Sequence, residues 1–352
     1  MRAGERGCRV ASSPEIRAPG IRTLEEAQRA LAGTRVWLVT DGKAGDLSPG
    51  LGLAERLDLA AESRIIAPRR LYAALMPWGP IDPRERPDRP GSPMAPPFPD
   101  IAIGAGRRAA AYLRFLKRSS AGRIFTMFLR DPRSGAGTAD FLWVPQHDRL
   151  RGPNVLVTLT TPHRFSPERL AAATAPWASD GRPVLGLLIG GTSKDFRFSP
   201  EDEGRLIAGL RQAVQEGWRL CGTPSRRTPE NVARGLAALC AETGGWFWDG
   251  RGENPYPALL ARSDALLVTM DSTNMLGEAV ATGRPVLGFR LTGQSHKLDT
   301  FWRGLVECGA ARPFQGRPER YSYEPIDATE TIAIELARRF LAHRVSRDRF
   351  SA

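Results

Sequence analysis

Three short polar stretches in the second half of the chain carry residue types suited to holding a diphosphate. The first is Gly190-Gly191-Thr192-Ser193-Lys194, inside LLIGGTSKDF. Paired glycines let a backbone approach a ligand without interference from Cβ, two hydroxyls can donate, and a lysine adds charge. The spacing is not that of a Walker loop, so ATP hydrolysis of that type is disfavoured. The second is Ser225-Arg226-Arg227-Thr228-Pro229, where Thr228 is expected to cap a helix that Pro229 opens. Two arginines at a helix start favour a phosphate nearby. The third is Thr269-Met270-Asp271-Ser272-Thr273-Asn274-Met275. Small polar residues at the end of a buried strand leave the amides of the next helix pointing outward as an anion site. Glu278 lies further along that helix, and an acceptor-only carboxylate suits the two hydroxyls of a ribose. Each stretch alone also reads as a plain tight turn; three at consecutive strand ends are more specific.

In the first half, Asp41-Gly42-Lys43-Ala44-Gly45-Asp46 follows an apolar strand. Asp46 can serve there as a general base, or Asp41 and Asp46 can simply cap turns. His147 and His163 follow apolar strands, and structural hydrogen bonding is the expectation for each. His296 follows the last sheet strand, in reach of a bound sugar. No spacing suits a metal centre.

The elements that must position these residues read as a doubly wound α/β chain. Short continuous apolar runs at Val36–Thr40, Ile101–Ile103, Ile124–Leu129, Phe141–Val144 and Val155–Leu159 predict strands of a first parallel sheet. Val184–Ile189, Arg219–Cys221, Trp246–Trp248, Ala265–Thr269 and Pro285–Phe289 predict a second. Helical patterns alternate with them, as right-handed crossovers require. The resulting division is an extension over 1–33, a Rossmann-like domain over 34–165, a hinge over 166–182 and a second domain over 183–325. A last helix within 326–352 is free to pack back on the first domain. Residues 77–99, rich in proline and charge, predict a long loop.

Composition sets outer bounds. With 352 residues, two domains are the simple prior, and 41% apolar with 25% charged residues is ordinary for a globular protein. The net charge of +12 suits anionic partners: nucleotide phosphates, nucleic acid or an acidic membrane face. A GC-rich genome would also enrich arginine, and no recognition-helix or zinc-finger pattern supports nucleic acid. The four cysteines fit neither a zinc site nor a disulfide framework, so reduced thiols are expected. No apolar run approaches the ~20 residues that cross a bilayer, and the first residues lack a signal-peptide core, which points to the cytoplasm or the inner face of a membrane.

Ordered matches make the chain resemble the elongated-mitochondria family of mitochondrial fission Elm-type proteins, bacterial branch. They are VWLVTDGKAGD, PDIAIGAGRRAA, FLRDPR, VPQHD, GPNVL, LIGGTSKDF, SRRTPE, NPYPALLARSDALLVTMDSTNMLGEAVATGRPV and CGAARPF, over about residues 35–315. The resemblance implies a glycosyltransferase-B (GT-B) fold of two facing Rossmann-like domains. The segment from Asp264 to Phe289 is similar to the donor-binding segment of the glucosaminyltransferase that completes the peptidoglycan lipid precursor. By that similarity Glu278 falls on the ribose-binding acid, Ser272 and Thr273 fall by the phosphates, and Gln294 falls near the donor sugar. Asp46 would face the acceptor. The expectation is a metal-independent glycosyl transfer from a nucleotide-diphosphate sugar, of UDP or GDP type, to an acceptor that a lipid could carry, with no cofactor. The alternative is a non-catalytic adaptor docked on an anionic membrane or a division apparatus. A nucleotide-sugar epimerase lacks its Gly-rich loop and Tyr/Lys pair here.

Overall fold

The computed structural model describes residues 20–351. The chain divides into two compact units, one holding residues up to Arg164 together with Ala328 onward, the other Phe165–Asp327.

The N-terminal unit runs α1 (Leu24–Leu31), β1 (Val36–Thr40), α2 (Ala44–Arg56), β2 (Ala61–Ile65), α3 (Arg70–Leu75), β3 (Ile101–Ala105), α4 (Ala109–Ser119), β4 (Phe125–Leu129), β5 (Phe141–Pro145) and β6 (Val155–Thr158). Its six strands pair in parallel in the order β2-β1-β3-β4-β5-β6. Side chains alternate in direction along each strand. Val36, Leu38, Ile101, Ile103, Phe125, Met127, Phe141 and Trp143 enter one core, while Trp37, Val39, Ala102, Phe128, Leu142 and Val144 enter another. A sheet buried on both faces is what continuous apolar runs dictate. The strand β2, AESRI, was not expected: it is an edge strand with mostly exposed side chains and carries no apolar run. Thr23 caps α1 through a capping box with Glu26.

The C-terminal unit continues with α5 (Pro167–Ala172), β7 (Val184–Ile189), β8 (Phe196–Arg197), α6 (Pro200–Gln215), β9 (Arg219–Pro224), α7 (Glu230–Glu242), β10 (Trp246–Phe247), α8 (Tyr256–Arg262), β11 (Ala265–Thr269), α9 (Thr273–Val280), β12 (Val286–Phe289), β13 (Thr292–Gly293), α10 (His296–Glu307) and β14 (Ala311–Pro313). The main sheet has the order β10-β9-β7-β11-β12-β14, all parallel. Counted along the chain, that is the 3-2-1-4-5-6 order of a Rossmann sheet, whose strand order reverses between β7 and β11. Strands β8 and β13 form a separate antiparallel ribbon. The segment 166–182, expected as a hinge, contains α5 and packs on α8: Arg262 donates to the carbonyls of Ala171 and Ala173. The long helix α11 (Ala328–Ser351) closes the chain, and its Ile332, Ala333, Leu336 and Phe340 lie in the N-terminal core. Both units are Rossmann-like α/β domains, each built on a six-stranded parallel sheet.

Cys221 and Cys240 are buried free thiols, pushed up by burial to about 11 and about 12. Cys308 is disulfide-bonded, so the expectation of four reduced thiols does not hold. Cys8 lies outside the described residues. No described helix is long and apolar enough to cross a membrane.

Candidate functional site

Ligands of open parallel sheets collect beyond the carboxyl ends of strands, where the order reverses. In the C-terminal unit that point lies between β7 and β11, and the three polar stretches meet there. The Gly190 amide donates to Thr269 Oγ1 at 2.6 Å, and the Gly191 amide to Asp271 Oδ2 at 3.2 Å. Thr269 Oγ1 donates in turn to Asp271 Oδ1 at 2.7 Å, and Arg227 Nη2 donates to Asp271 Oδ2 at 2.6 Å. The Thr192 amide reaches the Arg227 carbonyl at 3.1 Å. Asp271, with its side chain fully buried, is thus the hub that joins the loops after β7, β9 and β11. Burial raises its pKa, against the pull of Thr269, the Gly191 amide and Arg227.

This packing corrects the reading of the glycine pair. A Cβ at position 190 would sit 2.0 Å from Asp271 Oδ1, and one at 191 would sit 2.0 Å from the Arg227 carbonyl oxygen. The glycines let three protein loops approach one another, and no ligand is needed to explain them. The amides of Gly190, Gly191, Thr192 and Ser193 all have protein acceptors, Ser193 donating to the Phe196 carbonyl at 2.8 Å. Ser193 Oγ accepts from the amides of Asp195 and Phe196, which closes the turn. Thr228 is not the cap of α7, whose N-cap is Pro229. Its hydroxyl sits against the carbonyls of Ile189 and Gly190, at 2.9 and 2.7 Å, and ties the second loop to the first.

Charges remain for a ligand. Lys194 and Arg226 are exposed, and their side chains make no ion pair or hydrogen bond among the described residues. Arg227 differs from its neighbour because Asp271 already engages it. Ser272 caps α9, its Oγ accepting from the Met275 amide at 3.4 Å, with Thr273 and Asn274 in the first turn. The opening of α9 therefore offers donors and the positive end of a helix dipole. The β8–β13 ribbon brings a fourth segment alongside: the Gln294 amide donates to the Asp195 carbonyl at 3.1 Å. Gln294 is exposed beside the Lys194 turn, and His296, also exposed, opens α10. That helix was not expected from sequence; Ser295 stands at its N-cap position but makes no side-chain cap hydrogen bond.

Glu278 shares a helix face with Asn274, one turn along α9 from its start. Tyr256 Oη of α8 donates to Glu278 Oε2 at 2.6 Å, and Phe165 packs on the Tyr256 ring at 5.5 Å between centroids. Burial lifts the Glu278 carboxyl to about 7, the Tyr256 hydrogen bond opposing it, and lifts the Tyr256 phenol well above its usual value. The residue as a whole keeps partial exposure, while its carboxyl is buried against Tyr256. Tyr256 is a functional candidate that sequence reasoning missed, since a pairing across 22 residues leaves no local pattern. A hollow of ≈ 330 Å³ elsewhere in this unit is lined by Arg169, Thr174, Glu253, Asn254 and Pro257, and none of the residues nominated from sequence borders it.

The N-terminal sheet reverses its order between β1 and β3. Asp46 lies in the first turn of α2, which begins at Ala44, so the glycine loop is shorter than expected from sequence. Gly106, at φ 86°, faces it: a Cβ there would stand 2.8 Å from Asp46 Oδ2. Asp41, 7% exposed, pairs with Lys43 at 2.7 Å and with Arg108 at 3.7 Å, while its Oδ1 has no hydrogen-bond partner. His147 and His163 are buried, and the Thr329 hydroxyl of α11 accepts from the His163 amide at 3.1 Å.

The model of the family described as Mitochondrial fission ELM1 matches residues 44–340. The chain belongs to this family. It is 26% identical over 281 residues to the Mitochondrial fission protein ELM1 of Arabidopsis thaliana, covering 69% of this chain and 64% of the relative. The chain thus spans less than two thirds of that relative's length. The uncharacterized protein RP120 of Rickettsia prowazekii (strain Madrid E) is 23% identical over 349 residues, 85% of this chain and 96% of that one. Among solved structures, the UDP-GlcNAc 2-epimerase from Neisseria meningitidis bound to UDP-GlcNAc matches with TM-score 0.48 and 14% identity, over 89% of this chain and 98% of that one. MurG of Acinetobacter baumannii matches at TM-score 0.44 and 15% identity, over 88% and 93%. Both scores fall below one half, and the fold assignment rests on the two sheets themselves.

Proposed function

We propose that the C-terminal unit of this ELM1-family protein binds a nucleoside diphosphate sugar at the β7/β11 switch point and that the protein transfers the sugar to an acceptor hydroxyl. The observation that carries this reading is the convergence of three loops on Asp271, which leaves Lys194, Arg226 and the start of α9 facing outward beside Glu278. Lys194 and Arg226 take the diphosphate, with the hydroxyls of Thr192, Ser193, Ser272 and Thr273 as further donors. Glu278, ionised, accepts from the ribose hydroxyls, and Gln294 with His296 contacts the sugar.

In transfer, the bond from the anomeric carbon to the diphosphate oxygen breaks, and the leaving diphosphate keeps the electron pair. Positive side chains and the helix start meet that growing charge, so no metal is required for it. The acceptor oxygen forms the new bond and its proton passes to a base, for which Asp46 at the reversal point of the N-terminal sheet is the candidate. Neither a cofactor nor nucleic acid enters this scheme.

Calorimetry with UDP- and GDP-sugars tests the binding step. Wild type should bind one of the two classes, and Glu278→Ala should weaken it by about 2 kcal/mol, the size of a hydrogen bond to a charged group. No binding of either class at millimolar concentration would end the proposal. Binding without release of the nucleoside diphosphate over a panel of lipid and sugar acceptors would leave the adaptor role in its place.

A further inference from the structure

The segment 66–91 plays no part in the sites above, yet its surface is unusual. Among the described residues, Leu71 and Trp78 are the most exposed large apolar side chains, at 70% and 69%, with Leu75 at 50%. Leu71 and Leu75 stand four apart on α3 and share a face. The Gly79 amide donates to the Leu75 carbonyl at 2.8 Å, and a Cβ on Gly79 would meet the Leu75 Cβ at 2.6 Å, so the chain carrying Trp78 folds back against Leu75.

The patch does not arise from fraying. The opposite side of this segment puts Ala73 and Met76 into buried positions. Arg107 of the β3–α4 turn donates to the Ala73 carbonyl at 3.0 Å, and Arg114 of α4 donates to the carbonyls of Pro77 and Gly79. Three large apolar groups are therefore held outward on a pinned scaffold.

Exposed charge along this stretch is mostly positive. Arg69, Arg70, Arg84, Arg86 and Arg89 are all exposed. Of the three acids in this stretch, Asp82 and Glu85 are buried, which leaves Asp88 as the exposed one. Asp82 binds the Arg69 guanidinium and the Arg84 amide, and Glu85 accepts from the Ala67 amide, so the start of α3 and the Pro83–Glu85 turn are tied together. Asp82 engages Arg69, but Arg70 opens α3, where the helix dipole disfavours a cation, so helix stability does not account for it.

We infer that the α3 face, with Leu71, Leu75 and Trp78 as apolar anchors and Arg70 and Arg84 as the basic rim, docks this protein peripherally on a bilayer surface rich in anionic phospholipid. Leucine and tryptophan beside arginine are the side chains that settle at the headgroup boundary, and arginine attracts phosphate groups there. The inference is independent of the nucleotide reading, since none of these residues belongs to the proposed nucleotide site.

Vesicle flotation of the whole chain tests it, with phosphatidylcholine vesicles and vesicles that include phosphatidylglycerol. Wild type should float with the anionic vesicles at low salt and much less at high salt. The triple variant Leu71→Ser, Leu75→Ser, Trp78→Ser should lose at least about tenfold in bound fraction, while its thermal melt and its UDP binding stay unchanged. The double variant Arg70→Glu, Arg84→Glu should abolish the preference for anionic lipid. Absence of wild-type binding to anionic vesicles overturns the inference, as does a triple variant that floats like wild type. A triple variant that converts a self-associating wild type into a monomer without altering flotation would assign the face to a second copy of the chain, and equally overturns it.

Discussion

At the reversal point of each sheet, a strand-end aspartate pairs with an arginine from a neighbouring loop: Asp271 with Arg227 at 2.6 Å, and Asp41 with Arg108 at 3.7 Å. In each, a carboxylate also fills the space beside a glycine, Asp271 at Gly190 and Asp46 at Gly106. The finish differs. On the C-terminal side each carboxylate oxygen of Asp271 is bonded and the amides of 190–193 all have acceptors. On the N-terminal side Asp41 Oδ1 is buried without a hydrogen-bond partner among the described residues, and Lys43 is 71% exposed. All four non-glycine residues with positive φ among those described, Asp58, Ala121, Arg130 and Arg133, also lie in the N-terminal unit. One edge is a fixed frame that presents Lys194 and Arg226 outward; the other is incompletely satisfied. A frame of the first kind suits one invariant group such as a diphosphate, since preorganised donors need no rearrangement on binding. An edge of the second kind suits a partner that completes it.

The contrast breaks most visibly at Gly191. Gly191→Ala drives a methyl into the Arg227 carbonyl, backbone that cannot swing aside, and should cost about 3 kcal/mol, read as a fall in denaturant midpoint. Gly106→Ala meets only the Asp46 side chain, though its φ of 86° adds strain, and should cost about half as much. Equal losses would mean that the two edges are built alike.

The two aspartates provide a second comparison. Asp271→Ala strips the Gly191 amide, the Thr269 hydroxyl and Arg227 of their acceptor, a loss of about 2 kcal/mol. Asp41→Ala removes a carboxylate whose strongest partner is an exposed lysine, and should cost about 1 kcal/mol or less. Thermal melts in the same buffer decide between them.

Glu278 sharpens the comparison through pH. Its folded pKa, about 7, lies above the ordinary 4.5. The folded state therefore holds more protons between those values, so this group's contribution to stability is greatest below about pH 4.5, falls as pH rises, and is flat above about 7. Glu278→Gln should consequently stabilise the protein at pH 8, by about 2 kcal/mol, and scarcely at pH 5. Nucleotide affinity should move oppositely in wild type, strengthening as the carboxyl ionises. A variant equally stable at both values would show that Glu278 is not held in a desolvated place.

The smallest effect is expected at Arg130, φ 78°. Arg130→Gly relieves about 1 kcal/mol of backbone strain and should raise the melting temperature by a few degrees.

Much of this was legible in the sequence for one reason: a parallel sheet covered on both faces writes itself as apolar runs, and β1, β7 and β11 carry such runs. The meeting of the loops near 190, 226 and 272 also followed, because strand ends at a reversal point must adjoin. What stayed hidden depends on partners distant in sequence. Asp271 stands inside a recognised motif, but its role as hub needs Gly191 and Arg227, 80 and 44 residues away. The glycine pair shows why composition alone misleads, since close approach to a ligand and close approach to another loop call for the same residue. Thr228 has the right type and place for a helix cap, yet two carbonyls of the first loop hold its hydroxyl. The edge strand β2 and the ribbon β8–β13 have too few buried side chains to leave a periodic trace.

The most direct measurement is the calorimetric affinity for UDP of wild type beside the double variant Lys194→Ala, Arg226→Ala, with thermal melts of both. These two exposed side chains make no ion pair or hydrogen bond among the described residues, so the melts should coincide within about 0.5 kcal/mol, while affinity for UDP drops at least about tenfold and that for uridine does not change. Identical UDP affinity in the two proteins, or none in either, would contradict the assignment of a diphosphate to the edge of the second sheet.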